Sequence, residues 1–182
     1  MSEEPEKIVW QGRFVVAKTR GKWEYVSRAR NIRAAVILAV EDGHVLLVEQ
    51  YRVPLGRVCI ELPAGLIGDD DADEDESAES AAGRELEEET GYRAARIETI
   101  GEFWSSPGMV SESFTLLRAS GLEKVGPGGG TPGEAITVHR VALADLEEFL
   151  AARRAMGNAI DVRLLTLLGQ AIIEHGPSTR SA

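Results

Sequence analysis

The chain has 182 residues, of which 43% are hydrophobic and 27% are charged, and its formal net charge is −10. This length suits one globular domain with a hydrophobic core, and the negative charge excludes a basic nucleic-acid-binding surface. The single cysteine, Cys59, excludes an internal disulfide, and the longest apolar run, 34–40, is too short to span a bilayer.

The first part of the chain is predicted to consist of strands. The N-terminus has no basic start followed by an apolar run, so we expect a cytoplasmic protein without a secretory signal. Residues 1–30 hold two apolar runs around Arg20-Gly21-Lys22, which predict a small N-terminal antiparallel β-element. The runs AAVILAV and HVLLVEQYR are joined through Asp42-Gly43, which favours a tight hairpin.

The acidic run GDDDADEDE at 68–76 lies between a predicted strand, 58–64, and a predicted helix. Ser77 is a suitable N-cap for that helix, and Glu79 is an acid in its first turn. Gly91 lies where a C-terminal glycine ends a helix.

Three strands and two helices are predicted after Gly91. The loops SSPGMVSE and GPGGGTPGE separate the strands, and we expect the second loop to be mobile because it is rich in glycine. Strands and helices together predict a mixed α/β (α+β) fold, with residues 1–30 as an appended element and 31–182 as the main domain. The predicted strands are 96–104, 113–120 and 135–143, and the predicted helices are 142–155 and 161–175.

The segment GRELEEETGY at 83–92 carries the most informative acids. Glu85, Glu88 and Glu89 recur at i, i+3 and i+4, so on a helix they would share one face and repel each other. Divalent cations relieve such repulsion, and Mg²⁺ prefers oxygen ligands. A solvated acidic helix face has the same spacing, so the spacing alone leaves both interpretations open.

The context of these glutamates resembles a known motif. Residues 84–92 match the pattern R-E-U-x-E-E-x-G-U of the Nudix box, where U is apolar or aromatic. Glu76 lies at the box's upstream glutamate position, and Gly65 resembles its opening glycine. Ten residues separate Gly65 from Glu76, more than the family pattern has, and we interpret the extra residues as a loop insertion.

The segments that flank the box resemble the ADP-ribose pyrophosphatase branch of the Nudix hydrolases. They are HVLLVEQYRVPLGRVCIELPAGLI, SSPGMVSE and GGGTPGEAITVHRVAL. The resemblance implies a mixed β-sheet sandwiched by helices. It also implies Mg²⁺-dependent (or Mn²⁺-dependent) hydrolysis of the pyrophosphate bond of ADP-ribose or a related nucleoside diphosphate sugar, which yields a nucleoside monophosphate and a sugar phosphate.

The family motif also implies the metal ligands. They are the side chains of Glu85, Glu88 and Glu89, with Glu88 and Glu89 also catalytic, and the backbone carbonyl of Ala64. Arg84 is implied as a catalytic-site residue that orients a neighbouring carboxylate through hydrogen bonds.

The resemblance leaves the catalytic base open between Glu134, on the late glycine-rich loop, and Glu112, after the Ser-Pro-Gly loop. Arg52 resembles the family's substrate-contacting arginine, since a guanidinium suits a diphosphate oxygen. Further substrate contacts are predicted at Trp10, Trp23, Pro107 and Gly108. Because this branch often exchanges its N-terminal sheet between subunits, the aromatic-rich start favours a homodimer.

Three other interpretations remain open. The first is a Nudix hydrolase of another nucleotide sugar or of a dinucleoside polyphosphate. The second is a non-catalytic protein that kept the scaffold. The third is an acidic calcium-binding module, because Asp69, Asp71 and Asp73 alternate as at the start of an EF-hand loop. Glu74 stands where such a loop needs glycine, which counts against the third interpretation.

Overall fold

The computed structural model describes residues 4–29, 32–67 and 76–167. Within these ranges the chain forms eleven strands and two α-helices. The strands are β1 (Lys7–Gln11), β2 (Val15–Arg20), β3 (Trp23–Arg28), β4 (Arg33–Glu41), β5 (His44–Arg52), β6 (Arg57–Glu61), β7 (Ala64–Ile67), β8 (Tyr92–Trp104), β9 (Ser113–Lys124), β10 (Thr137–Ala142) and β11 (Ala159–Ile160). The helices are α1 (Ala78–Glu85) and α2 (Leu146–Ala155).

The strands form two sheets. The first three make an antiparallel sheet in the order β1-β2-β3. The other eight make a mixed sheet whose main path is β11-β6-β5-β4-β9-β8, with β10 paired to β5 and β7 paired to β4. In this larger sheet β4 runs parallel to β9, and β6 runs parallel to β11.

The strand β4 supplies side chains to both hydrophobic clusters of the fold. Side chains alternate between the two faces of a strand. Ala35, Ile37 and Ala39 therefore pack in a cluster with residues of α1, whereas Val36 packs in a second cluster with residues of α2. Helices thus cover opposite sides of the strands, and the predicted mixed α/β fold is confirmed.

The hairpin at Asp42-Gly43 is confirmed, because both residues adopt positive φ angles, 49° and 70°, as a type I′ turn requires. The apolar run 8–20 is divided into two strands around Gly12, which the sequence does not predict. The strands β7 and β11 are also unpredicted.

Two predicted segments lie largely outside the described residues. The acidic run is described only at Glu76. Of the helix predicted over 161–175, the described part holds a 3₁₀ turn, Val162–Leu164, followed by one helical turn at 165–167. None of the helices that the structure describes combines the length and the hydropathy of a transmembrane span.

Candidate active site

The predicted metal-binding glutamates lie where α1 gives way to a wider helical turn. Ser77 caps α1 as predicted, because its side chain accepts a hydrogen bond from Ser80 N at 3.1 Å. The chain then forms a π-helical turn, Leu86–Thr90, which we call the glutamate turn, and ends at Gly91 with φ 70°. The expectation of a regular α-helix through Glu88 and Glu89 is therefore wrong. Such π turns are frequent at functional sites.

The wider turn gives its acids different environments. Glu89 is only 5% exposed, and its Oε2 accepts a hydrogen bond from the Ala64 backbone N–H at 3.0 Å. Burial raises the pKa of Glu89 to about 8, and the negative charges of Glu85 and Glu134 act in the same direction. By contrast, the side chain of Glu88 is 40% exposed.

Glu85 lies against the opening glycine of the motif. A Cβ atom on Gly65 would come within 1.9 Å of the Glu85 Cδ, so only glycine leaves room for this carboxyl group. Burial raises the pKa of Glu85, although the charge of Arg84 opposes the shift.

Arg84 connects three of the predicted acids. Its Nη1 lies 2.9 Å from Glu85 Oε1 and 3.7 Å from Glu88 Oε2, and its Nε lies 3.5 Å from Glu76 Oε1. The guanidinium therefore bonds Glu85 directly, while its orienting role in catalysis stays a prediction. Glu76 also stays beside the motif arginine despite the acidic run before it.

A cavity of about 920 Å³ opens beside the glutamate turn. This volume lies within the usual range of small-molecule sites. Its acidic lining residues include Glu85, Glu89, Glu112 and Glu134, while Glu88 is not among them. The arginines that line it are Arg28, Arg52, Arg84 and Arg163. Acids that can hold a cation and arginines that can hold phosphate oxygens thus share one cavity.

The glycine-rich loop is bonded to the glutamate turn. The N–H of Gly129 donates to the carbonyl of Glu89 at 2.8 Å, and the N–H of Gly130 donates to the carbonyl of Glu88 at 3.0 Å. These carbonyls belong to the end of a helix, where no intrahelical donor remains. The loop that the sequence predicts to be mobile is therefore docked at this end of the turn.

The two candidate bases have different partners. Glu134 Oε2 accepts a hydrogen bond from the Thr131 N–H at 2.7 Å. The next residue, Ala135, has a φ of 51°, which is uncommon for a residue other than glycine. Glu112 Oε1 instead accepts a hydrogen bond from Arg28 Nε at 2.5 Å, which ties it to an arginine.

The other predicted substrate contacts lie away from this cavity. Trp10 and Trp23 are each 57% exposed on the three-stranded sheet, and neither is among the described lining residues. The same holds for Pro107 and Gly108. Their loop is nevertheless joined to β3, because Val26 N donates to Met109 O at 3.0 Å. Arg52, by contrast, lines the cavity, and its contact with a substrate stays a prediction.

Sequence reasoning missed several charged residues of the site. Arg28 lines the cavity from the end of β3, and Glu61, Asp161 and Arg163 line it together. A signal for Glu61 exists in hindsight, since it is the one acid in the apolar run VCIELPA. Such an acid is rarely buried without a cationic partner.

The acids of the described chain are not gathered around a single point. No three His, Cys, Asp or Glu side chains in the described ranges converge closely enough to hold a metal ion as they stand. Glu85 is bonded to Arg84, and Glu89 is bonded to the Ala64 N–H. A shared cation would therefore require these side chains to exchange partners.

Comparison with known proteins identifies relatives. The NUDIX domain profile matches residues 29–163. An uncharacterised Nudix hydrolase of Schizosaccharomyces pombe is 36% identical over 178 residues, covering 88% of this chain and 81% of that protein. An ADP-ribose pyrophosphatase of Bacillus subtilis is 41% identical over 88 residues, which cover 48% of this chain and 45% of that protein.

A solved structure described as an ADP compounds hydrolase has a similar fold. It superposes with a TM-score of 0.68 and covers 94% of both chains, at 23% sequence identity. Because the sequence identity is only 23%, this structural similarity establishes the fold alone.

Proposed function

This chain belongs to the Nudix hydrolase family, and on that premise we propose that it hydrolyses the pyrophosphate bond of ADP-ribose or a related nucleoside diphosphate sugar. The products would be a nucleoside monophosphate and a sugar phosphate. The observation that carries the proposal is that Glu85 and Glu89 line the same cavity as a set of arginines that includes Arg52. The B. subtilis relative is named an ADP-ribose pyrophosphatase, which supports this substrate class. The match covers 45% of that protein.

The residues fit a hard divalent cation. Their donor atoms are carboxylate and carbonyl oxygens, which Mg²⁺ and Mn²⁺ prefer. Gly65 has no Cβ, and this leaves the room beside the Ala64 backbone that the Glu85 carboxyl group occupies. We propose that Glu85, Glu88, Glu89 and the Ala64 carbonyl hold the cation. When bound, it supplies charge neutralisation at the diphosphate and a lowered pKa for a coordinated water.

The arginines supply the remaining positive charge. Arg52 is proposed to bind a diphosphate oxygen, because its guanidinium lines the cavity and can donate two hydrogen bonds in one plane. Arg84 is proposed to orient Glu85 until the cation takes its place as partner. Positioning and electrostatic stabilisation together account for most of the catalysis expected of a phosphoryl-transfer enzyme.

Glu134 is the proposed catalytic base. Its charge acts on both Glu85 and Glu89, which supports its proximity to the predicted metal ligands. Glu112 is the weaker candidate because Arg28 already bonds its carboxylate. In the proposed reaction Glu134 accepts the proton of the water that attacks phosphorus, and the bridging P–O bond breaks.

The three-stranded sheet is the proposed dimer contact. It exposes a set of large apolar side chains, a patch of the kind that usually marks an interaction surface. The family resemblance implies exchange of this sheet between two subunits. In that arrangement Trp10, Trp23 and the loop of Pro107 and Gly108 serve a substrate bound mainly by the other subunit. The exposed apolar residues are Ile8, Val9, Trp10, Phe14, Val15 and Trp23.

A substrate panel tests the proposal. Nucleoside diphosphate sugars and dinucleoside polyphosphates are incubated with the protein and Mg²⁺, and the products are identified by chromatography. We expect nucleoside monophosphate to be released from ADP-ribose or a close analogue, and to disappear with a chelator.

A pair of glutamate variants links that activity to the site. Glu89→Gln should lower kcat by about a hundredfold or more, because it removes an electrostatic contribution to the transition state. Glu87→Gln is the matched control, because Glu87 lies in the same turn but pairs with Arg93. Equal loss in both variants, or no loss in either, would contradict the assignment. If nucleoside monophosphate were released only from dinucleoside polyphosphates, these compounds would be the substrate class instead.

A further inference from the structure

A buried carboxylate lies behind the substrate-binding arginine. Glu61, at the end of β6, is 2% exposed. Its Oε1 accepts a hydrogen bond from Arg52 Nε at 2.6 Å, and its Oε2 accepts one from Arg52 Nη2 at 2.8 Å. This two-point contact fixes both the position and the plane of the Arg52 guanidinium.

A second arginine reaches the same carboxylate from a distant part of the chain. Arg163 Nη2 donates to Glu61 Oε2 at 3.2 Å. Arg163 is itself held by Asp161, whose Oδ1 accepts a hydrogen bond from Arg163 Nε at 2.8 Å. Burial opposes it, yet the bonds from Arg163 hold the pKa of Asp161 below its ordinary value. Asp161 is therefore expected to stay ionised at neutral pH.

The charges of this network cancel in pairs. Two guanidinium groups, Arg52 and Arg163, face two carboxylates, Glu61 and Asp161. A buried ionised carboxylate is costly unless partners satisfy its lone pairs, and removing one partner of such a group is strongly destabilising. Arg163 supplies Glu61 with a second cationic partner beside Arg52 and so helps to fix the position of the carboxylate.

Exposure distinguishes the roles of the two arginines. The side chain of Arg52 is 39% exposed, while the side chains of Arg163 and Asp161 are 18% and 16% exposed. Arg52 is thus the member of the network with surface free to meet a ligand. The guanidinium N–H groups of Arg163 instead donate to Glu61 and Asp161.

We propose that Arg163 is a positioning residue that acts through Glu61 to hold Arg52 in the orientation that binds the diphosphate. The inference rests on the proposed function insofar as Arg52 binds substrate. It adds Arg163, which lies 102 positions after Glu61 and outside the motif, to the substrate-binding machinery. Loss of Arg163 should weaken substrate binding more than it slows turnover.

A kinetic double-mutant cycle tests the coupling. Arg163→Met should raise KM for the preferred nucleoside diphosphate sugar by about tenfold and change kcat by less than about threefold. Arg163→Lys, which keeps the charge, should recover part of the loss. In an Arg52→Ala background, Arg163→Met should add less than about a twofold increase in KM. Multiplicative effects of the two changes would overturn the proposal, because Arg163 would then act independently of Arg52.

A control separates positioning from general destabilisation. Arg153 also bonds a partly buried acid, Glu49, at 3.0 Å, but it does not line the cavity. Arg153→Met should therefore leave KM unchanged. Should Arg163→Met fail to fold, the pair Asp161→Asn/Arg163→Met restores charge balance and is measured in its place. An unchanged KM in a folded Arg163 variant would overturn the proposal.

A measurement without substrate makes the result independent of the proposed activity. The ¹H–¹⁵N signal of Arg52 Nε–H, assigned by its loss in Arg52→Ala, reports the bond to Glu61. It should shift and exchange faster with solvent in Arg163→Met but not in Arg153→Met. An unchanged signal would overturn the coupling even in an active enzyme. A changed signal in a protein that hydrolyses none of the panel would uphold the coupling and reject the proposed function.

Discussion

Replacement of Gly128 by alanine should separate the glycine-rich loop from the glutamate turn. Gly128 has a φ of 70°, and a Cβ atom there would lie 2.5 Å from the carbonyl carbon of Thr90. The obstacle is backbone, so it cannot rotate away as a side chain does. The chain must move apart by several tenths of an ångström at the point where Gly129 and Gly130 bond the turn.

Three contributions set the expected size of the effect. A residue other than glycine in the left-handed region costs roughly 1–2 kcal/mol. Weakening the two loop-to-turn hydrogen bonds costs about 1 kcal/mol each. Removing glycine also restricts the unfolded chain, which offsets roughly 0.4–1 kcal/mol. The free energy of unfolding should therefore fall by about 2–4 kcal/mol, with an added loss of kcat because the backbone of Glu88 and Glu89 shifts.

Two glycines elsewhere provide matched controls. Gly43 has the same φ of 70° but nothing within 4 Å of an added Cβ, so Gly43→Ala should show only the conformational cost. Gly126 has no neighbour within 4 Å and no positive φ, so Gly126→Ala should be neutral or slightly stabilising. Urea unfolding and steady-state kinetics measure the series. Equal stability of the Gly128 and Gly43 variants, with normal kcat in both, would refute the docking argument.

Three further predictions concern single residues. With metal chelated, the free energy of unfolding should fall as pH rises from about 4.5 towards 8, because the folded protein holds a proton on Glu89 that the unfolded chain releases. Glu89→Gln should lose most of that slope, because only the smaller contribution of Glu85 remains, and should be more stable at pH 7 by roughly 3 kcal/mol, at 1.4 kcal/mol per pH unit. Equal slopes for the variant and the parent protein in urea titrations at several pH values would contradict the raised pKa of Glu89. Glu134→Gln should lower kcat by about a hundredfold and Glu112→Gln by less than tenfold, and the reverse order would make Glu112 the base. Val9→Asp should yield a monomer in analytical ultracentrifugation, because Val9 is 62% exposed on the three-stranded sheet; a persistent dimer would exclude this sheet as the contact.

Local patterns predicted the elements whose causes are local. The hairpin at Asp42-Gly43 depends on two adjacent residues that tolerate positive φ, and the start of α1 depends on one side-chain cap at Ser77. The strand β11 has only two residues, so it shows no alternation and exists because β6 lies beside it. Its position depends on the tertiary fold, which no short window of sequence contains.

The residues of the candidate site also differ in whether local sequence predicts them. The motif identified Glu85, Glu88, Glu89 and Arg84, and the flanking resemblance identified Arg52; all of these residues except Glu88 line the cavity. It did not indicate that Arg163 meets Glu61, because that bond joins residues 102 positions apart. An ion pair of this kind produces no periodic pattern in the sequence, because each partner is locally an ordinary charged residue. A charge inside an apolar strand is the one local sign, and it indicates that a partner exists without naming it.

The three consecutive glutamates of the glutamate turn have different environments, which only the structure distinguishes. Glu87, Glu88 and Glu89 are consecutive acids, yet Glu87 pairs with Arg93, Glu88 stays exposed, and Glu89 is buried against Ala64. The wider π turn rotates these side chains away from the positions that α-helical spacing predicts. Its position is held from outside by hydrogen bonds from the glycine-rich loop. The backbone position of Glu89, from which its side chain reaches Ala64, therefore depends on the loop as well as on the motif.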